Sequence, residues 1–170
     1  TVGVGAPEDG EDETTPSGAA YLFNRNNRGA SFNRTNKVKP ANRNTAARFG
    51  QAVTIRGRTM AIGSPRAKPN DPGTTSGSAS IFDVVRGAAT QVATASGSNS
   101  DDGAEFGASV DVGADGTVIV GAPMETSGQS RIGAAYLFGR QGEVFQETDR
   151  LQPDAPQPDG EFGRSEAIDP

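Results

Sequence analysis

Residues 133–138 read Gly133-Ala134-Ala135-Tyr136-Leu137-Phe138, and the same six residues stand unchanged at Gly18-Ala19-Ala20-Tyr21-Leu22-Phe23. A looser copy, Gly77-Ser78-Ala79-Ser80-Ile81-Phe82, lies between them. In an extended strand Ala134, Tyr136 and Phe138 share one face, and Ala135 and Leu137 share the other. Both faces are apolar, which predicts a strand held between two layers rather than one with a side in water.

Working outward from this stretch, three more landmarks keep one order and one period. Phe-Gly occurs at Phe49-Gly50, Phe106-Gly107 and Phe162-Gly163, 57 and 56 residues apart. A Gly-Ala/Ser-Pro tripeptide occurs at Gly5-Ala6-Pro7, Gly63-Ser64-Pro65 and Gly121-Ala122-Pro123, 58 residues apart each time. Phe32 and Pro40 return two periods later as Phe145 and Pro153. Regular recurrence of this kind marks a fold assembled from one supersecondary unit. In the third repeat the unit reads as four short strands, at about Phe106–Val112, Thr117–Ala122, Ala134–Gly139 and Val144–Leu151. Ala114-Asp115-Gly116 is a tight hairpin signal between the first two.

A repeated four-stranded antiparallel sheet, covered on both faces, predicts an all-β fold of β-propeller blades. A β-solenoid or an ordinary sandwich is the other way to use such spacing. On the propeller reading, residues 1–48 are a partial blade holding strands two to four, at about Thr1–Ala6, Ala19–Asn24 and Ser31–Lys39. Residues 49–105 and 106–161 are whole blades, and 162–170 supply the first strand of a further blade or a closing strand. Closed propellers typically use 4–8 blades. The ring is therefore expected to need further blades or other chains, such as a second copy. Glu166 falls where the earlier units have Val53 and Val110. A carboxylate there is costly without a partner, so the last strand is expected to dock less well than its predecessors.

Composition agrees with short strands and many turns: 33% of residues are hydrophobic, and Gly (23) and Pro (11) are both frequent. The chain has neither His nor Cys. A Ser-His-Asp triad, a Cys-His pair and the usual zinc sites are thus excluded within it, and disulfides offer no reading of compartment. No apolar run is long enough to span a bilayer. The chain opens on Thr1-Val2-Gly3-Val4, inside a strand-like run and without Met, so a processed product or a piece of something longer is expected.

The landmarks resemble the FG-GAP repeats of integrin α-subunit headpieces and of many secreted proteins. Phe49-Gly50, Ala61-Ile62-Gly63-Ser64-Pro65 and Ile81-Phe82 make one complete unit; Phe106-Gly107, Val120-Gly121-Ala122-Pro123 and Tyr136-Leu137-Phe138 make a second. The resemblance implies an extracellular adhesion or ligand-binding module, often with calcium in a blade hairpin. Here the sequence departs from the calcium-binding members. The stretch Asp111 to Ile119 keeps Asp111 and Asp115 but has Gly113 and Ile119 where more oxygen donors would stand. Ca²⁺ takes six to eight oxygens. The second repeat carries Arg56-Gly57-Arg58 in the same turn. No metal and no cofactor is expected, and the turn at Asp111–Gly116 reads as a plain hairpin. The acidic loop Glu8-Asp9-Gly10-Glu11-Asp12-Glu13 reads as solvated, with a weakly held calcium as the alternative.

Paired carboxylates do not argue for catalysis either. Asp101-Asp102 and Asp154, Asp159 and Glu161 precede Phe-Gly motifs, where turn formation accounts for them. No catalytic residue is assigned.

Net charge is −5, unevenly spread. Nine basic and no acidic residues lie between Asn24 and Arg58, whereas fourteen acidic and four basic residues follow from Asn99 onward. Arg25, Arg28, Arg34, Lys37, Lys39, Arg43 and Arg48 are the candidate partner-binding residues, presenting positive charge to an acidic protein or an anionic glycan. Aromatics are not interleaved with them, so nucleic acid is not expected. Asn33-Arg34-Thr35 is a glycosylation sequon, which fits a secretory route. The function expected is a non-catalytic, extracytoplasmic binding, adhesion or assembly module. An accessory subunit of a larger complex, or a non-catalytic fragment of a secreted hydrolase, is the alternative.

Overall fold

The computed structural model describes residues 1–10, 17–26, 31–41, 47–69 and 73–169. There is no helix among them, and the strands form antiparallel sheets. β1 (Val2–Ala6), β2 (Ala19–Arg25) and β3 (Phe32–Val38) form a three-stranded sheet, blade A. β4 (Val53–Arg56), β5 (Thr59–Ser64), β6 (Ser78–Val85) and β7 (Ala88–Ala95) form blade B in that order. β8 (Ser109–Val112), β9 (Val118–Ala122), β12 (Ala134–Gln141) and β13 (Val144–Leu151) form blade C. A small hairpin of β10 (Thr126–Ser127) and β11 (Ser130–Arg131) grows from the loop after the third Gly-Ala-Pro; strand alternation did not announce it.

The register repeats with the sequence. Val2 pairs with Phe23 and Val4 with Tyr21 in blade A; Val118 pairs with Phe138 and Val120 with Tyr136 in blade C. Each blade also slips register just before the Phe of its third strand, at Leu22/Phe23, Ile81/Phe82 and Leu137/Phe138. The slip leaves Thr35, Val92 and Thr148 unpaired on the outer strands. Such bulges twist a strand and free a backbone group. In blades A and C the threonine hydroxyl donates to the carbonyl of Leu22 or Leu137, 3.3 Å away in both.

Two apolar seams hold the blades together. Ala20, Leu22, Phe49, Met60, Ile62 and Phe82 fill the A/B seam. Ile81, Phe106, Val118, Val120, Tyr136 and Phe138 fill the B/C seam, with the Phe106 ring edge-on to Tyr136 at 5.4 Å and to Phe138 at 6.0 Å. As the alternation predicts, Tyr136 and Phe138 share the buried face, exposed to 0% and 4%.

The Phe-Gly motif clasps neighbouring blades. Phe49, Phe106 and Phe162 each bridge in parallel to the glycine that opens the third strand of the preceding blade, Gly18, Gly77 and Gly133. The Phe amide donates to the residue before that glycine: Ser17 at 3.0 Å, Ser76 at 2.9 Å and Ile132 at 3.0 Å. The following glycine approaches the Gly-Ala-Pro strand so closely that a Cβ on Gly5, Gly63 or Gly121 would collide with the carbonyl of Gly50, Gly107 or Gly163. Only glycine permits that approach.

Phe162-Gly163 makes the same clasp on blade C, but the run after it forms no strand. Ser109 donates a hydrogen bond to one oxygen of Glu166; the other oxygen is buried without a partner. Burial pushes this carboxyl above its ordinary range, against the pull of the Ser109 and Gly121 hydrogen bonds. β1 pairs only with β2, so its other edge carries no strand among the described residues.

Candidate functional site

The residue two places after each Gly-Ala/Ser-Pro proline is Asp9 in blade A, Ala67 in B and Glu125 in C. In blade C this position builds a buried polar group. Glu125 is fully buried, and Tyr136 donates its hydroxyl proton to one carboxylate oxygen. Arg150, directly across from Tyr136 on β13, donates to the other oxygen through Nε at 3.0 Å and through Nη2. Nε also reaches the Tyr136 oxygen at 3.2 Å, and Nη1 donates to the Gln152 amide oxygen at 2.9 Å. Burial, and then the Glu125 carboxylate, hold the Tyr136 phenol far above its ordinary range. Burial opposes the charge on Arg150, but the bonds to Glu125 and Tyr136 outweigh it and raise its pKa. A buried carboxylate tolerates its position only with such partners.

Blade A repeats the group at its open face. Tyr21 donates to Asp9, and Lys37, across from Tyr21 on β3, donates to Asp9 at 3.1 Å. The Tyr21 bond first, and the Lys37 bond second, hold the Asp9 carboxyl below its usual range. In blade B all three members are different: Ala67, Ser80 and Thr94. A cavity of about 220 Å³ lies there.

Among the described residues, the basic stretch does not form one free patch. Arg25 lies over the Phe32 ring at 5.4 Å, Arg34 over Tyr21 at 5.8 Å, and Lys37 over Tyr21 at 5.3 Å. Lys37 is also ion-paired with Asp9 (3.0 Å), and Arg48 with Glu8 (3.3 Å). The acidic run ahead of the basic one thus neutralises part of it. Lys39, half-buried, follows β3. Arg28, Arg43 and the acidic residues Glu11, Asp12 and Glu13 lie outside the described residues. Asn33 is exposed on the outer strand β3.

The clasp, the strand order and the matched register describe one repeating unit, and a family model supports the same reading. The model of the FG-GAP repeat matches residues 32–82 and 89–138, more than half of the chain. The chain belongs to the FG-GAP repeat family. No curated protein matches it.

In these FG-GAP blades the acidic turns serve position. Asp111 accepts a hydrogen bond from Thr54 of blade B (3.1 Å) and another from the backbone N–H of Ile168 (3.0 Å). Asp115 caps its own turn through the amide and hydroxyl of Thr117, both 2.9 Å away. Asp101 accepts from Thr126, and Asp102 from the Thr75 amide at 2.7 Å, fixing the connection that leads to Phe106. Among the described residues, no three His, Cys, Asp or Glu side chains gather as a metal site, and no helix is long and apolar enough to cross a membrane.

Sequence reading missed the Tyr–carboxylate–cation group and the cavity that replaces it. The signal was present: the residue two places after each Gly-Ala/Ser-Pro proline, compared across repeats together with the cross-strand partner of Tyr, singles out blade B.

Proposed function

We propose that this FG-GAP protein is a non-catalytic, extracytoplasmic propeller module whose open blade faces bind partners, and that its basic N-terminal face takes an acidic one. One observation carries the reading. Val2, Val4, Tyr21 and Phe23 on blade A occupy the places of Val118, Val120, Tyr136 and Phe138 on blade C. Val118 and Val120 are wholly buried, whereas Val2 and Val4 are 41% and 47% exposed. An apolar face of this make-up is an interaction surface.

The best fit for it is another blade of the same repeat. Arg34 and Lys37, the latter paired with Asp9, edge the blade A face. Glu161, Arg164 and Glu166 border the apolar hollow around Ile119, Ala135 and Leu151 on the far side of blade C, Glu161 being paired with Arg164. Joining the two faces is a head-to-tail contact, which builds rings when the rotation closes. The family resemblance and the exposed sequon residue Asn33 support a secretory route. Asp101, Asp102 and Asp111, on either side of Phe106-Gly107, are engaged in a turn and a seam, which supports a role without catalysis.

Light scattering on the chain at rising concentration tests the reading. Concentration-dependent association is expected. It should weaken with Arg25→Glu and Arg34→Glu together, and with salt, since the Debye length falls from ~10 Å at 0.1 M to ~3 Å at 1 M. A monomeric mass throughout, or association indifferent to both changes, would remove the support.

A further inference from the structure

We infer that the cavity in blade B is a binding site for one neutral pyranose ring, a sugar residue held between blades A and B. This goes beyond the proposed function and is independent of association through the blade A face. The site is where the Tyr–carboxylate–cation group would sit. Ser80 stands in the place of Tyr136, Ala67 in that of Glu125 and Thr94 in that of Arg150, and all three line the cavity. A fourth position changes with them. In blade C the Tyr136 ring lies against Gly97, where a Cβ would fall 2.7 Å from Cζ; its counterpart one repeat earlier is Pro40, also in the cavity wall. A tyrosine at 80 would meet that ring, so the space is kept from refilling.

The lining defines the ligand. Ser64, Ser78 and Ser80 form a buried floor; Thr94 and Gln91 stand at one side, the Gln91 amide donating to Thr94 Oγ1 at 2.8 Å. Hydroxyls both donate and accept, which suits a ligand whose groups do the same. Ala41, Ala47 and Ala67 give apolar patches between them, suited to the C–H faces of a sugar. The floor carries no charge, the carboxylate and cation of the sister blades are both gone, and the charged residue in the lining, Lys68, is exposed at the rim. An ion on the floor would therefore be buried with no opposite charge on the floor beside it. At about 220 Å³ the cavity lies below the ~300–1,000 Å³ of sites for larger ligands, and one ring fits. Thr94, Ala41 and Lys68 are exposed at the rim, which leaves an entrance.

Saturation-transfer NMR with methyl glucoside, galactoside and mannoside, each at about 10 mM to reach millimolar dissociation constants, tests the site on the whole chain. At least one glycoside should receive saturation. The paired change Ser80→Val and Thr94→Val, which removes hydroxyls without opening space, should weaken it at least tenfold. A second variant rebuilds the sister-blade group with Pro40→Gly, Ala67→Glu, Ser80→Tyr and Thr94→Arg, and should abolish binding. Both should keep the parent's association in light scattering, which separates failure of this site from failure of the blade-face reading. No transfer from any glycoside, meaning a cavity filled by water alone, overturns the inference. So does transfer that survives Ser80→Val and Thr94→Val in a chain with the parent's melting temperature.

Discussion

The B/C seam and the A/B seam are two copies of one junction, and they differ at one level only. Both have the Phe-Gly clasp, the glycine contact and an apolar filling. The B/C seam adds polar locks. Glu125, Tyr136 and Arg150 close its centre, and Ser98 in the connecting segment bonds to Glu147 through amide and hydroxyl at 2.9 and 2.7 Å. At the A/B seam Ala41 stands where Ser98 would be, and the centre is hollow. Backbone geometry thus makes the stack, and side chains decide whether a given seam is a lock or a pocket.

The largest test of that difference converts the lock into the pocket. Tyr136→Ser should cost about 3–5 kcal/mol in chemical denaturation, since it opens a cavity and strips Glu125 and Arg150 of a partner. Phe138→Ala should fall in the same range. Ser80→Ala should move stability by less than about 1 kcal/mol, because the group it would belong to is already absent. Equal costs at 136 and 80 would mean that the two seams do not differ in the way described.

Gly63→Ala probes what the seams share. Its methyl would strike the Gly107 carbonyl, and overpacking of this kind costs about 1–3 kcal/mol. Gly5→Ala should cost a similar amount through Gly50. A large loss at one and none at the other would break the equivalence of the clasps.

The smaller effects concern Glu166 and Thr148. Because the folded-state pKa of Glu166 is raised, ionisation opposes docking of the C-terminal segment. Docking is therefore strongest below the carboxyl's ordinary pKa and weakens as pH rises through its folded value. Hydrogen exchange at the Phe162 amide should be slower at low pH after correction for intrinsic rates. Glu166→Val should remove that dependence and leave the opposite one set by Asp111, whose carboxylate holds the Ile168 amide. Thr148→Val, which gives blade C the residue that blade B has at Val92, should cost about 0.5–1.5 kcal/mol. A neutral result would show that the freed Leu137 carbonyl finds water instead.

The blades were legible because each landmark has a backbone reason to recur. Gly63 and Gly107 touch, Phe106 bridges to Gly77, and Tyr136 alternates into a seam; spacing alone carries those facts. The site was not legible in the same way. Glu125, Tyr136 and Arg150 belong to three different segments, and nothing in a single repeat ties them together. The pairing within the basic stretch was hidden for a related reason. Counting charge along the chain separates Asp9 from Lys37, while the fold places them 3.0 Å apart. The β10–β11 hairpin was invisible because strands of two residues leave no alternation to detect.

The clasp also has a direction in time. Each glycine of a Gly-Ala/Ser-Pro strand waits for a Phe-Gly motif that lies downstream: Gly5 for Gly50, Gly63 for Gly107, Gly121 for Gly163. A ribosome adding about 5–20 residues per second leaves each second strand without its neighbour for about 2–9 s. A blade is therefore finished by the synthesis of its successor. Nascent chains halted just short of Gly107 should leave blade B open to protease, and chains halted beyond it should not. Assembly in this molecule is therefore expected to be vectorial, and a pause in translation between two Phe-Gly motifs would prolong the exposure of one bare sheet face.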